Sequence, residues 1–213
     1  MHGPQIKICG INATDALDAA IAGRADYVGF VFFPPSPRTL TLTDAAALAA
    51  RNGGRLQKVG LFVNASDSEI AEAVAAAQLD VLQLHGSETP ERAAQLRARY
   101  SLPVWKAISV AGPGDVEQAN RYAHAVDLVL FDAKTPKGAA LPGGMGLAFD
   151  WNLLKAYKGP LAWGLAGGLG PANVAEALRL TGAPLLDVSS GVESAPGIKD
   201  AEKIAEFCRN ARG

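Results

Sequence analysis

Three side chains that could exchange protons follow short apolar segments of the chain. Cys9 ends the segment KIC, His85 follows VLQL, and Asp132 follows LVLF. A thiolate can act as a base, a carboxylic acid can donate a proton, and an imidazole can do either near neutral pH. Because these residues are far apart in sequence, they can cooperate only if the fold brings the segment ends together. Packing is the commoner role of a free cysteine, and that alternative stays open for Cys9.

The elements that must position these residues alternate regularly along the chain. Short apolar segments are predicted to be strands buried on both faces, and an Ala/Leu-rich segment with helical periodicity follows each one. The eight predicted strands cover 6–9, 27–32, 58–63, 81–84, 104–108, 128–131, 161–165 and 185–188. The predicted helices cover 13–22, 43–51, 66–77, 90–100, 114–122, 149–157, 171–180 and 200–210. Capping residues or first-turn prolines support five helix starts, at Thr43, Ser66, Thr89-Pro90, Gly170-Pro171 and Lys199-Asp200.

This alternation predicts an α/β fold, a (β/α)8 TIM barrel that occupies residues 1–213 as a single domain. An open doubly wound sheet is disfavoured, because no GxGxxG motif follows the first strand. In a barrel, the C-terminal ends of the strands surround one mouth and carry the active site. A thiol, an imidazole and a carboxyl would then meet there.

Two glycine-containing turns predict a phosphate site at this mouth. Gly167 and Gly168 follow the seventh strand, and Ser189, Ser190 and Gly191 follow the eighth. Loops after strands 7 and 8 commonly bind phosphate in this fold, because glycines let backbone N–H groups approach the phosphate oxygens. The alternative is that both are merely tight turns.

Further polar residues are predicted around the acid and the base. Lys7 precedes Cys9 and could favour its thiolate, so we expect Cys9 to be more acidic than a free cysteine. Gln83 and His85 alternate along the fourth strand and should point the same way. Arg38 lies in the Pro-rich loop 33–42, where it is either solvated or able to clamp a carboxylate. The loop 132–148 is the second long connection and a candidate substrate cover.

Composition limits the classes of function. The chain has 213 residues, with 20 Lys and Arg against 21 Asp and Glu, so no basic excess favours nucleic acid or an anionic membrane. No apolar segment approaches the roughly 20 residues of a membrane span, and no signal peptide is recognisable. Cys9 and Cys208 lack metal-ligand spacing. We expect a cytoplasmic protein, a monomer or weak homodimer, with a small phosphorylated substrate.

A series of motifs makes the chain resemble a known family. In order, they are KICGI, ADYVGFVFFPPSPR, KVGLFVN, VLQLHGSE, VWKAI, LFDAK, GGMGLAFDW, LAGGLGPANVAEAL and LDVSSGVESAPGIKD. Together they resemble the phosphoribosylanthranilate isomerases of tryptophan biosynthesis, over nearly the whole chain. The resemblance implies a (β/α)8 barrel that performs an Amadori rearrangement without cofactor or metal.

The resemblance also implies roles for individual residues. Cys9 would be the general base and Asp132 the general acid, and Arg38 would face the anthranilate carboxylate. The phosphate would bind at the turns after strands 7 and 8. Lys7, Gln83 and His85 are additional candidates for substrate contacts. One departure is Met145, which stands where the family's glycine-rich loop usually has Thr. We expect this change to affect loop closure or affinity rather than the reaction type.

Other readings of the same residues stay open. A pentose-phosphate epimerase would need metal ligands, and His2, His85 and His124 are poorly spaced for a cluster. The next synthase of the pathway would need a catalytic Lys/Glu set, which is not found at the matching strand ends. A non-catalytic sensor of phosphorylated ligands is a different class, and turnover would exclude it. Activity on the related histidine-pathway substrate would call for a different acid–base pair.

Overall fold

Eight parallel strands close into a barrel in the computed structural model of the chain, which describes residues 3–133 and 149–213. The strands β1 to β8 are Gln5–Cys9, Tyr27–Phe32, Gln57–Phe62, Val81–Leu84, Val104–Val110, Leu128–Ala133, Ala162–Leu165 and Leu185–Val188. Each strand pairs with the next, and β1 also pairs with β8, which closes the ring. The predicted (β/α)8 barrel is confirmed, and every predicted strand agrees with the observed one within two residues at each end.

Helices cover the outside of this barrel. The α-helices α1 to α7 of the described residues are Thr14–Ala22, Leu42–Asn52, Asp67–Ala77, Pro90–Tyr100, Pro113–Glu117, Val174–Thr181 and Ala201–Arg212. Their apolar faces and the outer faces of the strands form the main core, in which Phe30, Phe62 and Phe207 are fully buried. Burying each such side chain stabilises the fold by about 1.5–3 kcal/mol.

Three predicted helices differ from the observed segments. The region 114–122 contains α5 followed by a 3-10 helix, Gln118–Tyr122, and the region 149–157 contains a 3-10 helix, Trp151–Ala156. In the region 171–180, α6 begins only at Val174, because Oδ1 of Asn173 accepts from the amide of Gly170 and holds a turn there.

The predicted helix starts are partly confirmed. Ser66, Thr89 and Asp200 cap their helices through side-chain oxygens that accept backbone N–H groups. The start at Thr43 is wrong, because α2 begins at Leu42. Its cap is Thr41, whose side chain accepts from the amide of Asp44.

The barrel interior contains a separate set of side chains, which alternate with those facing the helices. Five of them, Val59, Val81, Trp105, Leu130 and Leu185, cluster near the N-terminal ends of the strands. A second interior cluster, Cys9, Val31 and Leu61, lies near the C-terminal ends. The base candidate therefore lies inside the barrel, at its mouth.

One element was not predicted from the sequence. A short antiparallel hairpin, β9 (Glu193–Ala195) with β10 (Ile198–Lys199), stands between β8 and α7. Nδ2 of Asn12 donates to the carbonyl oxygen of Gly197 at 3.0 Å, so the hairpin is attached to the loop that follows β1. It thus belongs to the mouth of the barrel.

Candidate active site

The three side chains that could exchange protons lie at the C-terminal ends of the strands. Cys9 is the last residue of β1, Asp132 lies near the end of β6, and His85 follows β4. Asp132 comes two residues after Leu130, which packs inside the barrel, so the carboxyl projects into the same interior space. β1 and β6 are three strands apart around the ring. The thiol and the carboxyl therefore approach the mouth from different sides.

Asp132 and His85 form a close polar pair. Nε2 of His85 lies 3.2 Å from Oδ2 of Asp132, although the two groups are not aligned as a hydrogen bond. Oδ1 of Asp132 accepts from the amide of Ala133 at 2.8 Å. The backbone fixes one oxygen, and the other is directed toward the imidazole.

The turn after β7 lies directly against this carboxyl. Gly167 has a φ of +81°, which favours glycine. A Cβ atom at Gly167 would also lie 2.7 Å from Oδ1 of Asp132 and would collide with the amide of Ala133. Both the backbone angle and the lack of space therefore require glycine here, next to the acid candidate.

Cys9 lies over a buried ion pair. Nζ of Lys7 donates to both carboxylate oxygens of Asp187, at 2.9 and 3.0 Å. A methyl group on Gly29 of the neighbouring strand would lie 2.8 Å from Sγ of Cys9 and 3.2 Å from Nζ of Lys7, so thiol and ammonium flank the same point. Burial disfavours the charge on Lys7, but Asp187 and Cys9 outweigh this effect and raise the pKa of Lys7.

The expectation of an acidic Cys9 is wrong. Burial raises the pKa of the Cys9 thiol, and Asp187 adds to the increase. Lys7 lowers the pKa but does not compensate for the lost hydration. The thiol form of Cys9 is therefore favoured in this structure. Cys208, the other cysteine, is a buried residue of α7 and is also unpaired with any cysteine.

Arg38 is buried, which excludes the solvated alternative. Its Nε donates to Oε1 of Glu193 at 2.7 Å, and a terminal nitrogen donates to Oε2 at 2.9 Å. The aliphatic part of Arg38 packs on Gly10, where an added Cβ would lie 2.6 Å from Cδ of Arg38. The side chain of Arg38 thus packs on the residue that follows Cys9, and its guanidinium clamps a carboxylate that belongs to the protein.

The two predicted phosphate turns are in contact with each other. Gly167 and Gly168 both have positive φ, +81° and +66°, an arrangement that can direct successive N–H groups toward an anion. Gly191 packs so closely on the other turn that a Cβ atom there would collide with the carbonyl oxygen of Leu169. Ser190 begins a 3-10 turn, and the carbonyl oxygen of Ser189 accepts from Nζ of Lys199 at 2.9 Å.

Two other polar side chains of β4 and β5 have different environments. Gln83 is 1% exposed and lies two residues before His85, and its Oε1 has no hydrogen-bond partner among the described residues. Lys106 points away from the interior and donates to the carbonyl oxygen of Gly86 and to Glu88. Lys106 therefore supports the loop after β4 from outside the barrel.

Residues 134–148, which include Met145 and most of the predicted substrate cover, lie outside the described residues. Within 3–133 and 149–213, no group of three His, Cys, Asp or Glu side chains could hold a metal ion.

Sequence reasoning missed three residues of this site. Asp187 could have been found from the sequence. It lies in an apolar strand two residues before Ser189, and side chains two residues apart in a strand point to the same face, which here is the barrel interior. Glu193 and Lys199 could not have been found in this way. Their hairpin is short and of mixed composition, so its sequence has no hydrophobic periodicity that would indicate which side chains are buried.

Comparison with known proteins agrees with this geometry. Residues 6–210 match the family model described as N-(5'phosphoribosyl)anthranilate (PRA) isomerase. The N-(5'-phosphoribosyl)anthranilate isomerase of Paramagnetospirillum magneticum is 54% identical over 209 residues, which is 98% of this chain and 97% of the relative.

Solved structures give the same result. The phosphoribosyl anthranilate isomerase of Thermotoga maritima superimposes with a TM-score of 0.89, at 36% identity and with 99% of each chain covered. A phosphoribosyl anthranilate isomerase in complex with reduced 1-(o-carboxyphenylamino)-1-deoxyribulose 5-phosphate has a TM-score of 0.86, at 34% identity and 99% coverage of each chain. The chain with Cys9, Asp132 and Arg38 at its barrel mouth belongs to the N-(5'-phosphoribosyl)anthranilate isomerase family.

Proposed function

We propose that this chain converts N-(5-phosphoribosyl)anthranilate into 1-(2-carboxyphenylamino)-1-deoxyribulose 5-phosphate in tryptophan biosynthesis. The observation that carries the proposal is the arrangement of one mouth: Cys9 on β1, Asp132 three strands away on β6, and glycine turns for a phosphate between them. An acid and a base on different sides of an anchored substrate are what an Amadori rearrangement requires.

In this reaction, Asp132 donates its proton to the ring oxygen while the C1–O bond breaks. The nitrogen lone pair forms a C1=N iminium, which becomes the electron sink. Cys9, as thiolate, removes the C2 proton, and the C–H electrons form a C1=C2 bond and neutralise the nitrogen. Cys9 then returns its proton to C1 while the C2 hydroxyl gives up a proton that restores the carboxyl of Asp132, which forms the C2 ketone and returns both groups to their starting states. C1 is reduced and C2 is oxidised within one molecule, so the isomerase is of the intramolecular oxidoreductase type and needs no external cofactor.

The ion pair beneath Cys9 supports its role as the base. Lys7 is fully buried and bound to Asp187, which favours an electrostatic role beside the thiol over direct contact with substrate. Ring opening then creates the cationic iminium close to Cys9, at the step that needs the thiolate. Two positive groups would then offset the cost of a buried anion.

Gln83 and His85 are proposed to contact the substrate. Gln83 belongs to β4 and His85 lies two residues after it, so both side chains point to the barrel interior. The Oε1 atom of Gln83 is an acceptor without a partner among the described residues. The imidazole of His85, next to Oδ2 of Asp132, can hold the carboxyl in position while it transfers its proton.

The substrate phosphate is proposed to bind at backbone N–H groups of Gly167, Gly168, Ser189, Ser190 and Gly191. We expect Gly191→Ala to weaken inhibition by inorganic phosphate, because its Cβ would push the turn away from Leu169. Hydrogen bonds to a charged group contribute about 1.5–3 kcal/mol, so the inhibition constant should rise on the order of 10- to 100-fold. Gly114→Ala is the matched control, since a Cβ at Gly114 meets nothing within 4 Å. Equal constants for both variants would contradict a phosphate site here.

Arg38 is proposed to bind the anthranilate carboxylate. Arg38→Ala should mainly raise KM, with a loss of about 2–3 kcal/mol in kcat/KM, because a charge-assisted hydrogen bond disappears. Arg38→Lys should recover only part of this loss, since one ammonium cannot reproduce the planar fork. Steady-state kinetics of both variants measure the effect. Wild-type constants in both would remove Arg38 from the binding site.

Turnover of synthetic phosphoribosylanthranilate, followed by anthranilate fluorescence, tests the function as a whole. The gene should also rescue a tryptophan auxotroph that lacks this step. Tight binding of the reduced product analogue without turnover would instead support the sensor alternative.

The cellular setting follows the sequence-based expectations. We propose a cytoplasmic enzyme that acts on a small phosphorylated substrate, as a monomer or weak homodimer. Among the helices of the described residues, none has the length and apolar character to cross a membrane.

A further inference from the structure

The hairpin β9–β10 carries a buried carboxylate, Glu193, that the proposed reaction does not use. Its Oε1 accepts from Nε of Arg38 and from Nζ of Lys199, each at 2.7 Å. Its Oε2 accepts from a terminal nitrogen of Arg38 at 2.9 Å and from the amide of Gly197 at 3.3 Å. Each oxygen of this one carboxylate therefore receives two donors.

This network fixes the direction of Arg38. Two parallel bonds to one carboxylate define the plane and the orientation of a guanidinium, which a single bond would not. The hairpin is itself attached to the loops after β2 and β8, the two strands that neighbour β1. A Cβ at Gly197 would collide with the carbonyl oxygen of Pro37, and Lys199 donates to the carbonyl oxygen of Ser189. Arg38 is thus held between the loop after β2 and the turn after β8.

Stability alone is a weak explanation for three charges buried together. The desolvation of ion pairs often cancels their attraction, so apolar residues of similar volume can be as stable. Burial opposes the charge of Glu193, yet Arg38 and Lys199 outweigh it and lower the pKa of this carboxyl. Glu193 is therefore an anion at neutral pH. What the network provides is a guanidinium of fixed direction, on a side chain whose aliphatic part packs on Gly10.

We propose that Glu193 is a positioning residue, which orients Arg38 so that the guanidinium meets the carboxylate of the aromatic amine. This inference rests on the proposed function, because it assigns a partner to the arginine of that substrate site. Glu193 does not touch the substrate in this scheme and acts only through Arg38.

Glu193→Gln is an informative change because it keeps the size of the side chain. Whichever end of the amide carries nitrogen would face two donors, and one bond to Arg38 would be lost on that side. Glu193→Asp is a second variant. It keeps the charge, but its shorter side chain cannot reach both nitrogens of Arg38. Glu206→Gln, at an exposed position of α7, is the matched control.

The test is the dissociation constant of the non-reactive reduced product analogue, measured by fluorescence titration. We expect Glu193→Gln and Glu193→Asp to weaken binding on the order of 10- to 100-fold. The double variant Arg38→Ala/Glu193→Gln should bind as weakly as Arg38→Ala alone. An analogue without the ring carboxyl should bind equally to wild type and to both Glu193 variants.

Two results would overturn the inference. The first is a double variant whose loss of affinity is the product of the losses of Arg38→Ala and Glu193→Gln. The second is a Glu193 variant that loses as much affinity for the analogue without the ring carboxyl as for the analogue that has it. Both are measured by binding, so they are independent of the turnover assay that tests the proposed function. Wild-type turnover together with a multiplicative loss would refute the role of Glu193 alone.

Discussion

Cys9→Ser should lower kcat by about 10²–10⁴-fold while the barrel stays folded, because a hydroxyl barely ionises near neutral pH and cannot replace a thiolate base. The substitution is nearly isosteric, and Cys9 shares its interior cluster with the buried side chains of Val31 and Leu61. Thermal unfolding and circular dichroism would verify the fold. Cys208→Ser is the control, since Cys208 is also buried but belongs to the inner face of α7, away from the mouth.

The pH dependence of the same reaction provides a second test. Only the deprotonated form of Cys9 can act as the base, and burial raises the pKa of this thiol. The thiolate fraction, and with it kcat/KM, should therefore increase with pH through the neutral range and beyond the ordinary pKa of a cysteine, which is about 8.5. Folded Cys9→Ser with near-normal kcat would make Cys9 a packing residue, and His85 would become the next candidate for the base.

Asp132→Asn is expected to reduce kcat by a similar factor, about 10²–10⁴, since an amide cannot donate a carboxyl proton. The amide can still accept from the amide of Ala133 and direct its nitrogen toward His85, so the geometry of the mouth should be preserved. A loss in kcat with little change in the affinity for the reduced product analogue would therefore show that the variant lacks a proton donor and that substrate binding is intact.

Asp18→Asn is the control for this variant, because Asp18 forms an exposed ion pair with Arg51 on the barrel surface. Such pairs contribute about 0–1 kcal/mol. The losses of Cys9→Ser and Asp132→Asn should not multiply in the double variant, because the two groups serve successive steps of one reaction. An Asp132→Asn enzyme with wild-type kcat would require another acid.

The parts of the fold that follow from local patterns were predictable. The apolar segment LVLF followed by Asp132 predicts a buried strand with a carboxyl near its end, and β6 has this arrangement. The start of α6 was not predictable in this way, because the side chain of Asn173 holds a turn that competes with the helix. Periodicity reports which face is apolar, but it does not report such local hydrogen bonds.

The electrostatics of the site could not be read from the sequence either. Lys7 near Cys9 suggested an acidic thiol. The pKa of the thiol is instead raised by desolvation, which depends on how deeply its side chain is buried inside the barrel. The partner of Arg38, Glu193, is 155 residues away and comes from a hairpin with no periodic signal. Long-range pairings of this kind require the three-dimensional structure.

The ion pair of Lys7 with Asp187 has a consequence for how the enzyme matures. Its two residues are 180 positions apart and belong to the first and last strands, so the pair exists only after the barrel has closed. Loop-closure entropy makes contacts of such high sequence separation late events in folding. During synthesis, the surroundings of Cys9 therefore remain incomplete until β8 has left the ribosome. If the ring closed without the carboxylate of Asp187 in reach of Lys7, the buried ammonium would cost about 3–5 kcal/mol, which favours closure with β8 in its native register.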